Sequence, residues 1–296
     1  MRSWAARSTR ARSPSPRRWT WHLTDDASTH GSTHGAADGG TDGHAHTGTD
    51  SAGQPWKGRH FEPHGHEADD GSAPQVVVDA LTSFRDGRSG PEAVVDALRG
   101  ARLLVPLVAH AGDEGVTDAG LRVDKTQELS LVTVSGPGGR TVLPAFTSVT
   151  ALSAWNPKAR PIPVDARRAA LAAAAEGTEL IVLDPGSPTE FVLRRPAVWA
   201  LAQGESWVPA PRDPDVVDAF ELATGDEPAV AGIRVVGGDP EARLRGPEVV
   251  AVLALVPGLD QPALDALIAR LQQRWAESGI IAERVDSLGV RITAVS

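Results

Sequence analysis

The sequence predicts a mixed α/β (α+β) fold in three parts: a disordered N-terminal tail, a mixed-sheet α/β domain and a smaller β-β-α-β-β domain. Three observations predict it. Residues 1–74 are rich in Ser, Thr, Gly, Asp and His and carry almost no aliphatic side chains, too little apolar surface to offset ordering entropy. From residue 75 on, short apolar runs alternate with segments of helical periodicity, the mark of strands interleaved with helices. Beyond a proline-rich stretch at 205–212, the chain begins a second such series around its most regular amphipathic helix.

In order along the body, Gln75–Asp86 places Val77, Leu81 and Phe84 on one helical face and stops at Gly87. Pro91 opens a second helix, with Val94, Val95 and Leu98 inward and Gly100 as its end. RLLVPLVAH at Arg102–His110 reads as a strand in which Pro106 requires an edge or a bulge. Glu128–Val134 and Thr141–Phe146 flank SGPGGR as a hairpin. That glycine-rich run joins two strands and lacks a following Lys-Ser/Thr, so the phosphate-loop reading fails on context.

Ser148 caps a short helix carrying Ala151, Leu152 and Trp155, stopped by Asn156-Pro157. Pro161–Val164 is a strand, and Asp165 caps Ala166–Glu176 with Gly177 beyond it. ELIVLD at Glu179–Asp184 is a buried strand. A Pro-Gly turn leads to a strand at Glu190–Arg194, and a helix from Pro196 to Gly204 carries Val198, Trp199 and Leu201 inward. These elements make up a domain at 75–204.

After the linker at 205–212, the domain at 213–296 opens with Asp213-Pro214 as N-cap and first turn of a helix that buries Val217 and Phe220. Strands follow at Val230–Val236 and Glu248–Val256. Asp260 caps a helix with Leu264, Leu267, Ile268, Leu271 and Trp275 in one stripe, ending at Gly279. Ile280–Val285 and Leu288–Val295 read as two closing strands across an Asp286-Ser287 turn.

Composition excludes several classes of function. The chain has no cysteine, which removes disulfides, thiolate nucleophiles and Cys-based zinc sites. The tail holds 8 Lys/Arg and 9 Asp/Glu of the chain's 29 and 38, leaving 21 and 29 in residues 75–296, a net charge of −8. An acidic body repels nucleic-acid backbones and anionic bilayers. No run of 18 apolar residues is present, so no membrane span is expected. Residues 1–21 hold six Arg and no acid, which reads as a basic leader without the apolar core of a secretory signal.

Candidate functional residues are few, and no cofactor motif is among them. Eight of nine histidines lie at or before residue 66. They could hold a metal ion, but their spacing is not that of a built site, and they read as solvated low complexity. In the segment at 50–71, Trp56 and Phe61 stand between prolines as either a docking element or a linker. A nucleophile set can be assembled from Ser187, His110 and Asp184, yet Ser187 lacks a nucleophile-elbow context, and Asp184 and Ser187 suit the capping of their own turn. The remaining candidate is a recognition surface for a protein or small ligand: Phe146, Thr147 and Ser148 at a strand-to-helix corner, Asp184, Gly186 and Ser187 at the Pro-Gly turn, and Trp207 in the linker.

LPAFTSVTALSAWNP, the IVLDPGSPTEFVLRR passage and the LLVPLV strand together resemble the N-terminal domain of the SseB (enhanced serine sensitivity) family. The leader DSAGQPWKGRHFEPHGHEADDG resembles that of actinobacterial members, and the end of the chain resembles the companion C-terminal domain. The resemblance implies a soluble bacterial α/β protein with no established enzymatic activity and no catalytic residues to carry over. The chain is read as a cytoplasmic, non-enzymatic protein that binds a protein partner or small ligand, the alternative being a hydrolase or transferase that uses Ser187, Asp184 and His110.

Overall fold

The computed structural model describes residues 69–107, 114–116, 122–124, 133–136, 139–225 and 227–294. Residues 1–68, with Trp56 and Phe61, and His110 lie outside them, whereas the end of the expected tail is tied to the body: Gly71 O accepts the Val149 N–H at 2.9 Å and Ser72 O accepts from Arg102 at 2.7 Å. The fold is mixed α/β, with two layered halves joined through the proline-rich stretch.

The first half begins with helices α1 (Gln75–Arg85) and α2 (Pro91–Leu98). Gly87 takes the left-handed stop at φ 70° after α1, whereas α2 ends through Arg99 in right-handed geometry and Gly100 is not called on. Strands β1 (Arg102–Leu107), β2 (Glu114–Val116), β3 (Arg122–Asp124), β4 (Val134–Ser135) and β5 (Thr141–Ala145) follow. Next come α3 (Val149–Trp155), β6 (Arg160–Asp165), α4 (Ala166–Ala175), β7 (Ile181–Leu183), β8 (Phe191–Leu193) and α5 (Arg195–Gln203). The central sheet has the order β4-β5-β7-β8, with β5 and β7 parallel and the outer pairs antiparallel. β4 and β5 form the hairpin around SGPGGR, and β2 pairs with β3.

Prolines in these strands fall where no donor is needed. Leu104 and Phe146 exchange both backbone hydrogen bonds at 2.8 Å. The even residues of β1 therefore turn their N–H groups away from β6, and Pro106 lacks one only on that side. In β6, Pro161 and Pro163 sit opposite Pro106 and Leu104, so their missing donors fall on the outer margin and blunt it.

One face of the central sheet is covered by α1, α2, α4 and α5, with Val77, Leu81, Val94, Leu98, Ile181, Leu183, Phe191, Val198 and Leu201 in one core. Its other face carries a smaller cluster of Val142, Leu180, Val182 and Val192, covered in part by Trp155 and Leu244. β7 is thus buried on both faces, as continuous aliphatics require. Trp199 departs from the expected core position: Val198, Leu201 and Ala202 form the buried stripe of α5, and Trp199 lies off it, 41 % exposed, with the Arg195 guanidinium 5.8 Å from its ring centre.

The second half contains α6 (Pro214–Thr224), β9 (Val230–Gly237), β10 (Val249–Leu255), α7 (Gln261–Glu277), α8 (Gly279–Arg284) and β11 (Leu288–Ala294). Its sheet has the order β9-β10-β11, antiparallel then parallel. Val216 and Phe220 of α6 and Leu267, Leu271 and Trp275 of α7 pack on one face of it; Val216, not Val217, is the fully buried position. Ile280–Val285 is a helical turn and not a strand. Ser278 Oγ accepts the Ile281 N–H, and Ile281 and Val285, one turn apart, both enter the core. The closing order is therefore α-β-β-α-α-β, and the described residues from Gly71 to Ala294 belong to one compact unit.

Candidate functional site

The corner Phe146–Ser148 and the turn Asp184–Ser187 are brought together, with Asp184 as the clasp. It stands at the C-terminal end of β7, where its N–H reaches Ala145 O at 2.8 Å and extends the parallel pairing with β5. Its backbone takes φ 45°, a left-handed conformation that Asp tolerates better than most residues. Its Oδ1 accepts the Thr147 N–H at 2.8 Å, and its Oδ2 accepts the Thr147 hydroxyl at 2.8 Å and the Thr189 hydroxyl at 2.9 Å. Asp184 is 2 % exposed. Burial pushes its carboxyl above the ordinary value, although the Thr147 and Thr189 hydrogen bonds oppose the shift.

This geometry corrects part of the expected recognition surface. Phe146 is fully buried against Leu104, Leu152 and Trp155, and Thr147 and Asp184 are buried with it. They hold two loops together and offer no face to a partner. Ser148 is spent on the α3 cap, accepting the Ala151 N–H at 3.1 Å. Gly186 is exposed, at φ 79°, and donates its N–H to Glu190 Oε2 at 2.6 Å. Ser187 Oγ lies 2.9 Å from the Thr189 hydroxyl and accepts the Thr189 N–H. Asp184 and Ser187 thus both serve their turn, and His110 lies outside the described residues.

A second constellation lies where the two halves meet, and the sequence reading missed it. Asp286, in the turn between α8 and β11, receives the Arg140 guanidinium in a two-pronged contact at 2.6 and 2.7 Å. It also receives Arg194 Nη1 at 3.0 Å. Arg194 Nη2 donates to Asp239 Oδ2 and to Gly246 O, both at 2.7 Å. Burial presses the Asp286 carboxyl upward, but the hydrogen bonds and charges of Arg140 and Arg194 outweigh it and hold the group below the ordinary range. Glu248 completes the cluster. Its Oε2 accepts the Asp286 N–H at 2.5 Å, while its Oε1 has no partner among the described residues. Burial, with the Asp286 charge beside it, pushes Glu248 up to about 7, against the opposing Asp286 N–H and the arginine charges.

Beside this cluster lies a cavity of about 300 Å³. Its apolar walls include Phe84, Phe191, Ala197, Trp207, Pro209 and Pro211; its polar lining comes from Arg194, Arg212, Asp239 and Glu248. Phe84 and Phe191 meet edge to face with ring centres 5.3 Å apart. Trp207, expected to contribute to a recognition surface, is partly buried against the first core. No backbone periodicity marks the seam residues. The available signal was charge pressed against apolar runs, as Arg194 closing FVL and Glu248 opening VVAVLAL. Among the described residues no group of three His, Asp or Glu is arranged to hold a metal ion, and no helix is long and apolar enough to cross a membrane.

Residues 77–200 match the family model described as the SseB protein N-terminal domain. The matched span runs from α1 into α5 and contains Asp184, Arg140 and Arg194, while Asp239, Glu248 and Asp286 lie beyond it. No curated protein and no solved structure matches the chain. Residues 77–200, 124 of the chain's 296, are thus similar to the SseB protein N-terminal domain.

Proposed function

We propose that this protein is a cytoplasmic binding protein that takes a small, largely apolar molecule into the cavity between its two halves. The observation that carries the reading is the cavity lining: Phe84, Phe191, Trp207 and two prolines around about 300 Å³, with a few charged groups converging beside them. Concave, mostly apolar sites with sparse polar anchors are the usual form of small-molecule seats. The commitment of Asp184 and Ser187 to their own turn favours binding over bond cleavage.

The test uses propylbenzene as probe and ligand-observed NMR on the full chain. Gly237 lines the cavity, and a Cβ there meets nothing within 4 Å, so Gly237→Leu adds bulk without a backbone clash. Saturable binding that weakens in Gly237→Leu and in Trp207→Ala is the expected result. Absence of saturable binding to the unaltered protein overturns the reading.

A further inference from the structure

The lining of the cavity also discriminates between kinds of ligand. Arg194 and Arg212 are the cationic groups that line it. Both terminal nitrogens of Arg194 are engaged, by Asp286, Ser287, Asp239 and Gly246. Arg212 is paired with Glu92. An anionic ligand would therefore compete with Asp286 and Asp239 for Arg194 and with Glu92 for Arg212. The acidic side is different. Asp239 accepts from Arg194, from the Leu244 N–H and from the Arg245 N–H. Glu248, by contrast, is 9 % exposed, and its buried Oε1 has no partner among the described residues. A buried acceptor left unmatched costs free energy that a donor can recover. The ring of Trp207 adds a face that attracts positive charge.

We propose that the cavity takes a small amphipathic amine, its aromatic or alkyl body against Phe84, Phe191 and Trp207 and its amino group donating to Glu248. This inference rests on the cavity being a ligand seat and adds the class of ligand. The two oxygens of Glu248 serve it together: Oε1 pairs with the ammonium while Oε2 keeps its Asp286 N–H. Burial that raises the Glu248 pKa disfavours the bare carboxylate, so a bound cation removes an unfavourable charge as well as an unmatched acceptor.

Three probes of similar size separate the possibilities on the full chain: 2-phenylethylamine, propylbenzene and phenylacetate, each titrated by NMR at pH 8. Phenylethylamine binds at least about tenfold tighter than the other two, the span of one charged hydrogen bond. Glu248→Gln places an amide in that position and abolishes the advantage of the amine over propylbenzene. Equal affinities for the three probes, or an advantage that survives Glu248→Gln, overturns the amine assignment while propylbenzene binding keeps the cavity reading intact. Failure of all three probes removes both. If Glu248→Gln does not fold, the ranking of the three probes on the unaltered protein decides alone.

Discussion

Arg194 and Asp286 meet at 3.0 Å between the two halves, with their side chains only 8 % and 1 % exposed. The pair joins a residue at the end of β8 to a turn 92 positions later, and Arg140 closes on the same carboxylate from the β4–β5 hairpin. Removing one member of such a buried group strands the others, a far larger effect than loss of a surface ion pair.

Asp286→Ala should therefore destabilise the protein by about 3–5 kcal/mol, because two guanidinium groups lose their acceptor together. Urea denaturation reads this directly. Arg194→Met combined with Asp286→Ala should cost clearly less than the two single changes added together, since the side chains share one network. Additive costs would mean that the contact contributes nothing as a pair.

Asp184→Ala removes three hydrogen bonds and leaves the buried Thr147 N–H unmatched, in a left-handed backbone position. The expected cost is about 3 kcal/mol. Asp184→Asn keeps an acceptor for that N–H and tolerates the backbone, so it should cost roughly half as much. Equal midpoints for the two variants would show that the carboxylate geometry is immaterial to the clasp.

Glu248 gives stability a sign with pH. Its folded pKa is raised from 4.5 to about 7, so the folded state holds this proton more tightly than the unfolded chain. The resulting contribution is fully present below pH 4.5 and is lost as pH rises through 7, a change of roughly 3 kcal/mol. Asp286 acts oppositely and in a lower window: its depressed pKa contributes stability that is lost only as pH falls below its ordinary 3.8. Between pH 5 and 8, Glu248→Gln should flatten the decline seen in the unaltered protein. Parallel pH profiles for the two would exclude Glu248 as its source.

Two tryptophans should respond very differently to truncation. Trp275 is 1 % exposed and meets Phe220 with ring centres 5.4 Å apart; Trp275→Ala should cost about 3–5 kcal/mol. Trp199 touches solvent and the Arg195 guanidinium, and Trp199→Ala should cost under about 1 kcal/mol. Thermal midpoints of both variants, measured side by side, check the contrast.

The tryptophans also show what was legible before any coordinates. The α7 stripe from Leu264 to Trp275 repeats over about three turns, so periodicity identified its inward side. α5 is shorter, and one apolar residue beyond its stripe looked equally inward. Ile280–Val285 misled for a related reason: a six-residue segment with apolar residues at both ends satisfies strand and helix patterns alike. The spacing of Ile281 and Val285, with the Ser278 cap, decides for helix. The Asp184 turn was legible because Pro, Gly and Ser act on neighbours. The meeting of Arg140, Arg194, Asp239, Glu248 and Asp286 was not, because it depends on how two separately layered sheets dock and not on any local rule.

The segment between β9 and β10 closes over the open margin of β8. Val192 donates its N–H to Ala242 O at 2.8 Å. Ala242 reaches the core on one side of the sheet and Leu244 the cluster on the other, both with left-handed backbones at φ 49° and 52°. The N-terminal domain is thus sealed by residues that the ribosome has yet to make when β8 is complete. At ~5–20 residues per second, the nascent chain carries a raw strand for an interval on the order of several seconds. During that interval the unpaired edge of β8 is open to pairing with another chain.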